Sequence, residues 1–244
     1  MNKNSVLFII LGVLAGFIAG FLVANKLNSS EIATLRAQAP LQKPANSNQA
    51  PQSDGQSLSP TELKAKITEA DKNPTNLSYQ KNLGISLYRY ASMKQDNDLL
   101  TESIRILTRA NSLDAKDFDV LVALGNAYFD VGFFKKDLAK FQKARELYTM
   151  ALEIKPSDAD VRTDFGISYF VQEPPEYDKA VAELQKVLNA EPERDRALQF
   201  LVQVYTKQGK LPEAEKALAK LKDVNPNEPS ITELASQISA ARTK

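Results

Sequence analysis

From Ser59 onward, apolar residues return every three or four positions, and no segment alternates apolar with polar at the period of two that a strand requires. The spacing predicts helices throughout this region, interrupted by short breaks near Pro74, Ala115, Pro156, Pro192 and Pro226. Ser59-Pro60-Thr61-Glu62 opens the first of them: a hydroxyl at the N-cap, proline at the first helical position and a carboxylate facing the positive end of the dipole. Upstream the pattern is different. Val6 to Ala24 is an uncharged apolar run flanked by Lys3 and Lys26. As a helix it would reach roughly 28 Å, close to the hydrocarbon thickness of a bilayer. Between Lys26 and Ser59 the composition turns to Gln, Asn, Ser, Ala and Pro, with too few large apolar side chains to offset the entropy of ordering the backbone. A short helix is expected over Glu31 to Gln38, and the remainder reads as a tether. The domain plan is an anchor over 1–25, a polar linker over 26–58 and a helical domain over 59–244.

Within the helical domain a single phrase recurs. Leu83-Gly84, Leu124-Gly125 and Phe165-Gly166 open three copies, Leu201-Val202 stands at the same point in a fourth, and each lies nine residues after a helix-ending position. The fourth copy continues with Tyr205, Gly209, Ala214, Leu218, Leu221 and Pro226; the third with Tyr169, Ala180, Leu184, Val187 and Pro192; the second with Tyr128, Gly132, Ala144, Tyr148, Ala151 and Pro156. This pattern resembles the tetratricopeptide repeat, a pair of antiparallel helices with a period of about 34 residues. The resemblance implies an all-α solenoid with repeats over 76–115, 118–156, 159–192 and 195–226, and capping helices over 60–72 and 229–242. Its small residues stand where the two helices of a repeat cross, so that larger side chains would force them apart.

Two copies are irregular. From Leu83 to Ser103 and from Leu124 to Ala144 the second small residue arrives seven places late, and in the third copy two places late, near Pro174-Pro175. Seven residues are about two helical turns, so the same face is recovered after the insertion. Ser92 to Asp98 is polar and reads as a loop; Phe133 to Lys136 reads as a helix extension.

A signal-peptide cut needs small residues one and three places before it, but a cut after Ala24 has Leu22 at the third place and a cut after Ala19 falls inside the apolar run. The apolar run is therefore expected to remain as a single-pass anchor. Gly12, Gly16 and Gly20 repeat at four, a spacing that lets two membrane helices pack backbone on backbone and predicts a homodimer through the anchor. Positive charge is nearly balanced across the run, and the short amino-terminal tail with its polar tether resembles a bacterial signal anchor. That implies an inner-membrane protein with its repeats on the periplasmic side.

Lys plus Arg number 31 against 30 acidic residues, which gives no case for nucleic acid. His, Cys and Trp are absent. The commonest general base, the usual transition-metal ligands and every thiol mechanism go with them, so neither an enzyme, nor a cofactor, nor a metal site is expected. Asp158, Asp160 and Asp164 surround a helix start, where the dipole accounts for them.

Tetratricopeptide arrays bind extended peptides or partner helices along the face made by the first helix of each repeat. Carried onto this chain, that face comprises Lys81, Ile85, Tyr88 and Arg89; Asp119, Val122, Asn126, Phe129 and Asp130; Asp160, Thr163, Ile167, Phe170 and Val171; and Arg196, Gln199, Gln203, Thr206 and Lys207. Tyr88, Phe129 and Phe170 either form an aromatic strip on it or pack between helices as core. As a strip, with acidic residues beside it, they suit an amphipathic protein or peptide segment with an apolar anchor and some basic character. The family's clamp for chaperone carboxyl termini is not matched. Lys81 fits it, but Ile85, Ala123, Asp160 and Asp164 replace its Asn, Asn, Lys and Arg. The build resembles bacterial anchored repeat proteins of envelope assembly, including those that hold apocytochrome during cytochrome c maturation. The alternative is a structural oligomer in which solenoids stack without a dedicated ligand.

Overall fold

The computed structural model describes residues 59–243; the expected anchor with Gly12, Gly16 and Gly20, and the expected tether, lie outside the described residues. Ten helices and no strand occur among the described residues, and none of these helices is long and apolar enough to cross a membrane. Helix α1 (Pro60–Lys72) begins with a reciprocal capping box: the Ser59 hydroxyl accepts from the Glu62 N–H at 3.2 Å, and the Ser59 N–H donates to Glu62 Oε2 at 2.8 Å. Such a cap is worth about 1 kcal/mol.

Four antiparallel pairs follow: α2 (Leu77–Lys94) with α3 (Asn97–Leu113), α4 (Phe118–Lys135) with α5 (Leu138–Ile154), α6 (Ala159–Val171) with α7 (Tyr177–Ala190), and α8 (Asp195–Gln208) with α9 (Leu211–Val224). Helix α10 (Ile231–Arg242) closes the array. Each first helix also touches the first helix of the next repeat, so α2, α4, α6 and α8 share one face. The starts of α2, α4 and α6 are set by side chains that take up orphan N–H groups, while α8 has no such cap. Asn76 accepts from Tyr79 N–H, Asp117 from Asp119 and Val120, and Asp158 from Val161.

The glycines sit at the crossings. A Cβ on Gly84 would lie 2.7 Å from Leu107 Cγ, one on Gly125 2.8 Å from Tyr148 Cε1, and one on Gly166 3.2 Å from Leu184 Cγ. All three partners belong to the second helix of the same repeat and are buried. The fourth pair is built differently, with Val202 fully buried at the corresponding point.

The extra residues of the second repeat, Phe133 to Lys135, extend α4 as expected, but those of the first are not where a loop reading puts them. Ser92 to Asp98, expected as a loop, is almost all helix: α2 runs to Lys94, α3 begins at Asn97, and only Gln95 and Asp96 make the turn. The length is shared between partners. First helices of 18 residues and second helices of 17 stand against 14 and 14 in the fourth repeat. A polar sequence suits this arrangement because the added turns project past the crossing, where Met93, Lys94 and Gln95 face solvent. The turn itself is tight, with Gln95 and Lys136 in the left-handed region at φ 54° and 53° and Gly209 at φ 75° in the fourth pair.

At the amino-terminal end Leu63 and Ala70 pack on Leu87 and Ile106. Gln80, fully buried, donates from Nε2 to the carbonyls of Ala70 and Asn73 at 2.7 and 3.0 Å, which finishes α1 from inside. At the other end Leu234 and Ile238 of α10 join the cluster containing Leu201, Tyr205 and Leu218, so the apolar stripe of the last helix covers the end of the stack.

Candidate functional site

The face shared by α2, α4, α6 and α8 is the candidate site, and the structure sorts its predicted residues into three groups. Phe129, Thr163, Ile167 and Thr206 are buried. Phe129 packs edge-on against Phe141 with centroids 5.5 Å apart, and Thr163 returns its hydroxyl to the Ala159 carbonyl at 2.6 Å. Half-buried are Ile85, Tyr88, Val122, Asn126, Phe170, Val171, Gln199 and Gln203. Arg89 and Lys207 are exposed. Phe170 is extended by a residue that the sequence pattern does not single out, Phe200, whose ring meets it at 6.4 Å in a T-shaped contact.

The charged residues are mostly paired across successive repeats. Lys81 donates to both oxygens of Asp117, at 2.9 and 2.8 Å, and to Asp119 at 2.8 Å. Burial opposes the Lys81 ammonium, but the Asp117 and Asp119 carboxylates outweigh it and raise its pKa. Asp160 is held by Arg194, and Asp164 by Arg196. Burial pushes the Asp164 carboxyl above its ordinary range, with Arg196 working against the rise.

Asp130 stands apart. Its carboxylate accepts from the Ser92 hydroxyl at 2.6 Å and has no cationic partner among the described residues. Burial pushes its pKa up to about 7; the Ser92 hydrogen bond opposes this, and the like charge of Asp164 adds to it. Tyr88 lies close enough for its own phenol to be raised by burial and by Asp130. Behind them the buried Tyr148 hydroxyl donates to Asn126 Oδ1 at 2.8 Å. Ser92 is missing from the predicted face because it falls in the stretch expected as a loop. Asp164 and Phe200 are missing because each stands one position past a residue assigned to the inner face, Thr163 and Gln199. An aromatic or carboxylate one residue after a predicted inner position is the signal that could have found them.

This surface has partly exposed aromatic and amide side chains, ion pairs that tie the helices together, and one carboxylate left without a cation. Among the described residues no group of His, Cys, Asp or Glu has the arrangement of a metal site.

Residues 176–238 match the model of the tetratricopeptide repeat family. No curated protein matches the chain. Solved structures are similar in fold: MamA, 23% identical over 67% of this chain and 81% of its own, with a TM-score of 0.54; a tetratricopeptide repeat protein from Parabacteroides merdae, 21% identical over 75% and 66%, at 0.58; and PilW, a type IV pilus biogenesis factor, 18% identical over 74% and 77%, at 0.58.

Proposed function

We propose that this tetratricopeptide repeat protein is a membrane-anchored, non-enzymatic adaptor that holds a segment of a partner protein against the face formed by α2, α4, α6 and α8. The observation that carries the reading is that face itself. Tyr88, Phe170 and Phe200 lie half-buried on its helices, and the Gln199 and Gln203 side chains make no hydrogen bond within the described residues. Open aromatic surface with free amides is what an extended or helical segment needs for anchoring and for backbone hydrogen bonds.

The apolar run Val6–Ala24 supports a single-pass anchor, and the polar tether supports a domain with reach. We place the repeats on the periplasmic side of a bacterial inner membrane, in protein assembly of the envelope; the fold likeness to a pilus biogenesis factor is consistent with that setting.

Photo-crosslinking residues installed at Arg89 or Lys207 test the groove in the native membrane. Both positions should give the same adduct, and Phe170→Ala should remove it, while Gln142 and Lys220 on second helices should give none. Adducts only from the second helices would refute the groove, and adducts only with further copies of this chain would favour the stacking scaffold. A carboxy-terminal fusion to paired periplasmic and cytoplasmic reporters tests the orientation, and cytoplasmic activity would overturn it.

A further inference from the structure

Around the Tyr88–Asp130 pair the charges do not balance. Asp164 has Arg196, while Asp130 has only the Ser92 hydroxyl at 2.6 Å and the neighbouring phenol. The groups that face Asp130 are Tyr88 and Ser92 on α2, Tyr148 on α5 and Asp164 on α6, with Arg196 on α8 bonded to Asp164. Arg89, the next residue on α2, is exposed and makes no bond to it. The place is built by the lengthening of α2. Ser92 lies 16 residues beyond the Asn76 cap, whereas α6 ends at Val171 and α8 at Gln208, before that point is reached.

We propose that this place receives one cationic side chain, a lysine or arginine of the bound segment, with Asp130 as its acceptor and the Tyr88 ring beside it. The inference rests on the groove reading above and adds its chemistry. A half-buried carboxylate bonded only by neutral hydroxyls, those of Ser92 and Tyr88, is a costly group that an incoming ammonium or guanidinium satisfies through a charge-assisted hydrogen bond. Lys207 on α8, exposed and without a salt bridge, disfavours a second cation there, so the segment carries one basic residue at a fixed register relative to the apolar side chain that meets Phe170 and Phe200.

A proton dependence follows. Burial holds the Asp130 carboxyl near a pKa of about 7, so in the free groove it is partly protonated at neutral pH, and only the ionised form pairs with a cation. Affinity therefore rises as pH rises through that value, with a limiting loss of about tenfold for each pH unit below it.

The test pans random dodecapeptides on phage against the full chain and measures the enriched peptides, made synthetically, by fluorescence anisotropy. The expected result is a sequence family with one Lys or Arg at a constant distance from an aromatic or large aliphatic residue. Asp130→Asn keeps the Ser92 partner and should weaken such a peptide by about tenfold or more, the range of a charge-assisted bond. It should also flatten the pH dependence and leave the norleucine analogue of the peptide unchanged. Lys220→Ala, on a second helix, should not weaken binding. Peptides that lack a basic residue but are weakened by Phe170→Ala would overturn the cation site and leave the groove standing. So would basic peptides indifferent to Asp130→Asn. A library that yields no peptide sensitive to Phe170→Ala removes both readings.

Discussion

Replacing Gly125 by alanine sets two effects against each other. In the middle of an exposed helix the change stabilises by about 1 kcal/mol, because alanine loses less backbone entropy. Here the new Cβ would stand 2.8 Å from Tyr148 Cε1 and 3.0 Å from Cδ1. The ring has no room to withdraw: Tyr148 is completely buried, and its hydroxyl is tied to Asn126 at 2.8 Å. Overpacking of this kind costs about 1–3 kcal/mol, so the net result is a destabilisation of up to about 2 kcal/mol. For a domain of this size that lowers Tm by about 2–4 °C per kcal/mol. Thermal unfolding of the full chain followed by far-ultraviolet circular dichroism reads it directly. A second variant identifies the cause. Tyr148→Leu alone should be destabilising through lost packing and an orphaned Asn126, yet Gly125→Ala added to it should cost nothing or restore stability. A Gly125→Ala protein that unfolds at or above the wild-type temperature would refute the claim that the glycine is needed for the helix crossing.

Three further outcomes are expected. Asp71, nearly half exposed, has its carboxyl held down to about 2 by hydrogen bonds from Arg105 and Arg109; a lowered pKa gives stability that is present above the ordinary carboxylate range and lost as pH falls through about 2. Asp71→Asn should therefore lower Tm at pH 7 by an amount equivalent to less than about 1 kcal/mol after solvent screening, and match the wild type near pH 2. Asp130 has the opposite sign: its raised pKa favours the folded state at low pH and loses that advantage as pH rises through about 7. Asp130→Asn should thus be the more stable protein at pH 8 and no different at pH 3, and the Asp130 carboxyl carbon should titrate near neutrality by NMR. Lys81→Ala removes the cation that joins α2 to the Asp117 cap of α4; Tm should fall slightly, and the variant should respond less than the wild type to added salt.

The helix order and the repeat were legible in the sequence because each depends on residues that act locally. Proline and aspartate at the breaks, and small residues where two helices cross, leave marks that do not need the third dimension. Inner-face positions were legible only as a stripe. A stripe does not say how deep a ring sinks, and depth depends on the neighbouring helix: Phe129 meets Phe141 and is buried, while Phe170, at the same distance from its own N-cap, meets Tyr177 and Phe200 and stays half open.

Insertions were the least legible feature, for a reason that bears on the site. Polar residues between two helices resemble a loop when the helices are assumed to keep the family's length. Divided between both partners, however, the same residues lengthen each by about one turn, satisfy their own backbone hydrogen bonds and still present polar side chains to water. The lengthening takes α4 past Asp130, which corresponds to Val171 at the very end of α6. It also takes α2 far enough to bring Ser92 to that carboxylate. The departure from the common repeat length and the unpaired carboxylate are therefore one structural feature. Shortening α2 and α3 together to the length of the fourth pair, with the Gln208-Gly209-Lys210 turn as their junction, should keep the array folded while returning Asp130 toward solvent. Its carboxyl would then titrate closer to the ordinary carboxylate range, and a folded variant in which it still titrated near neutrality would show that the longer helix is not what shelters it.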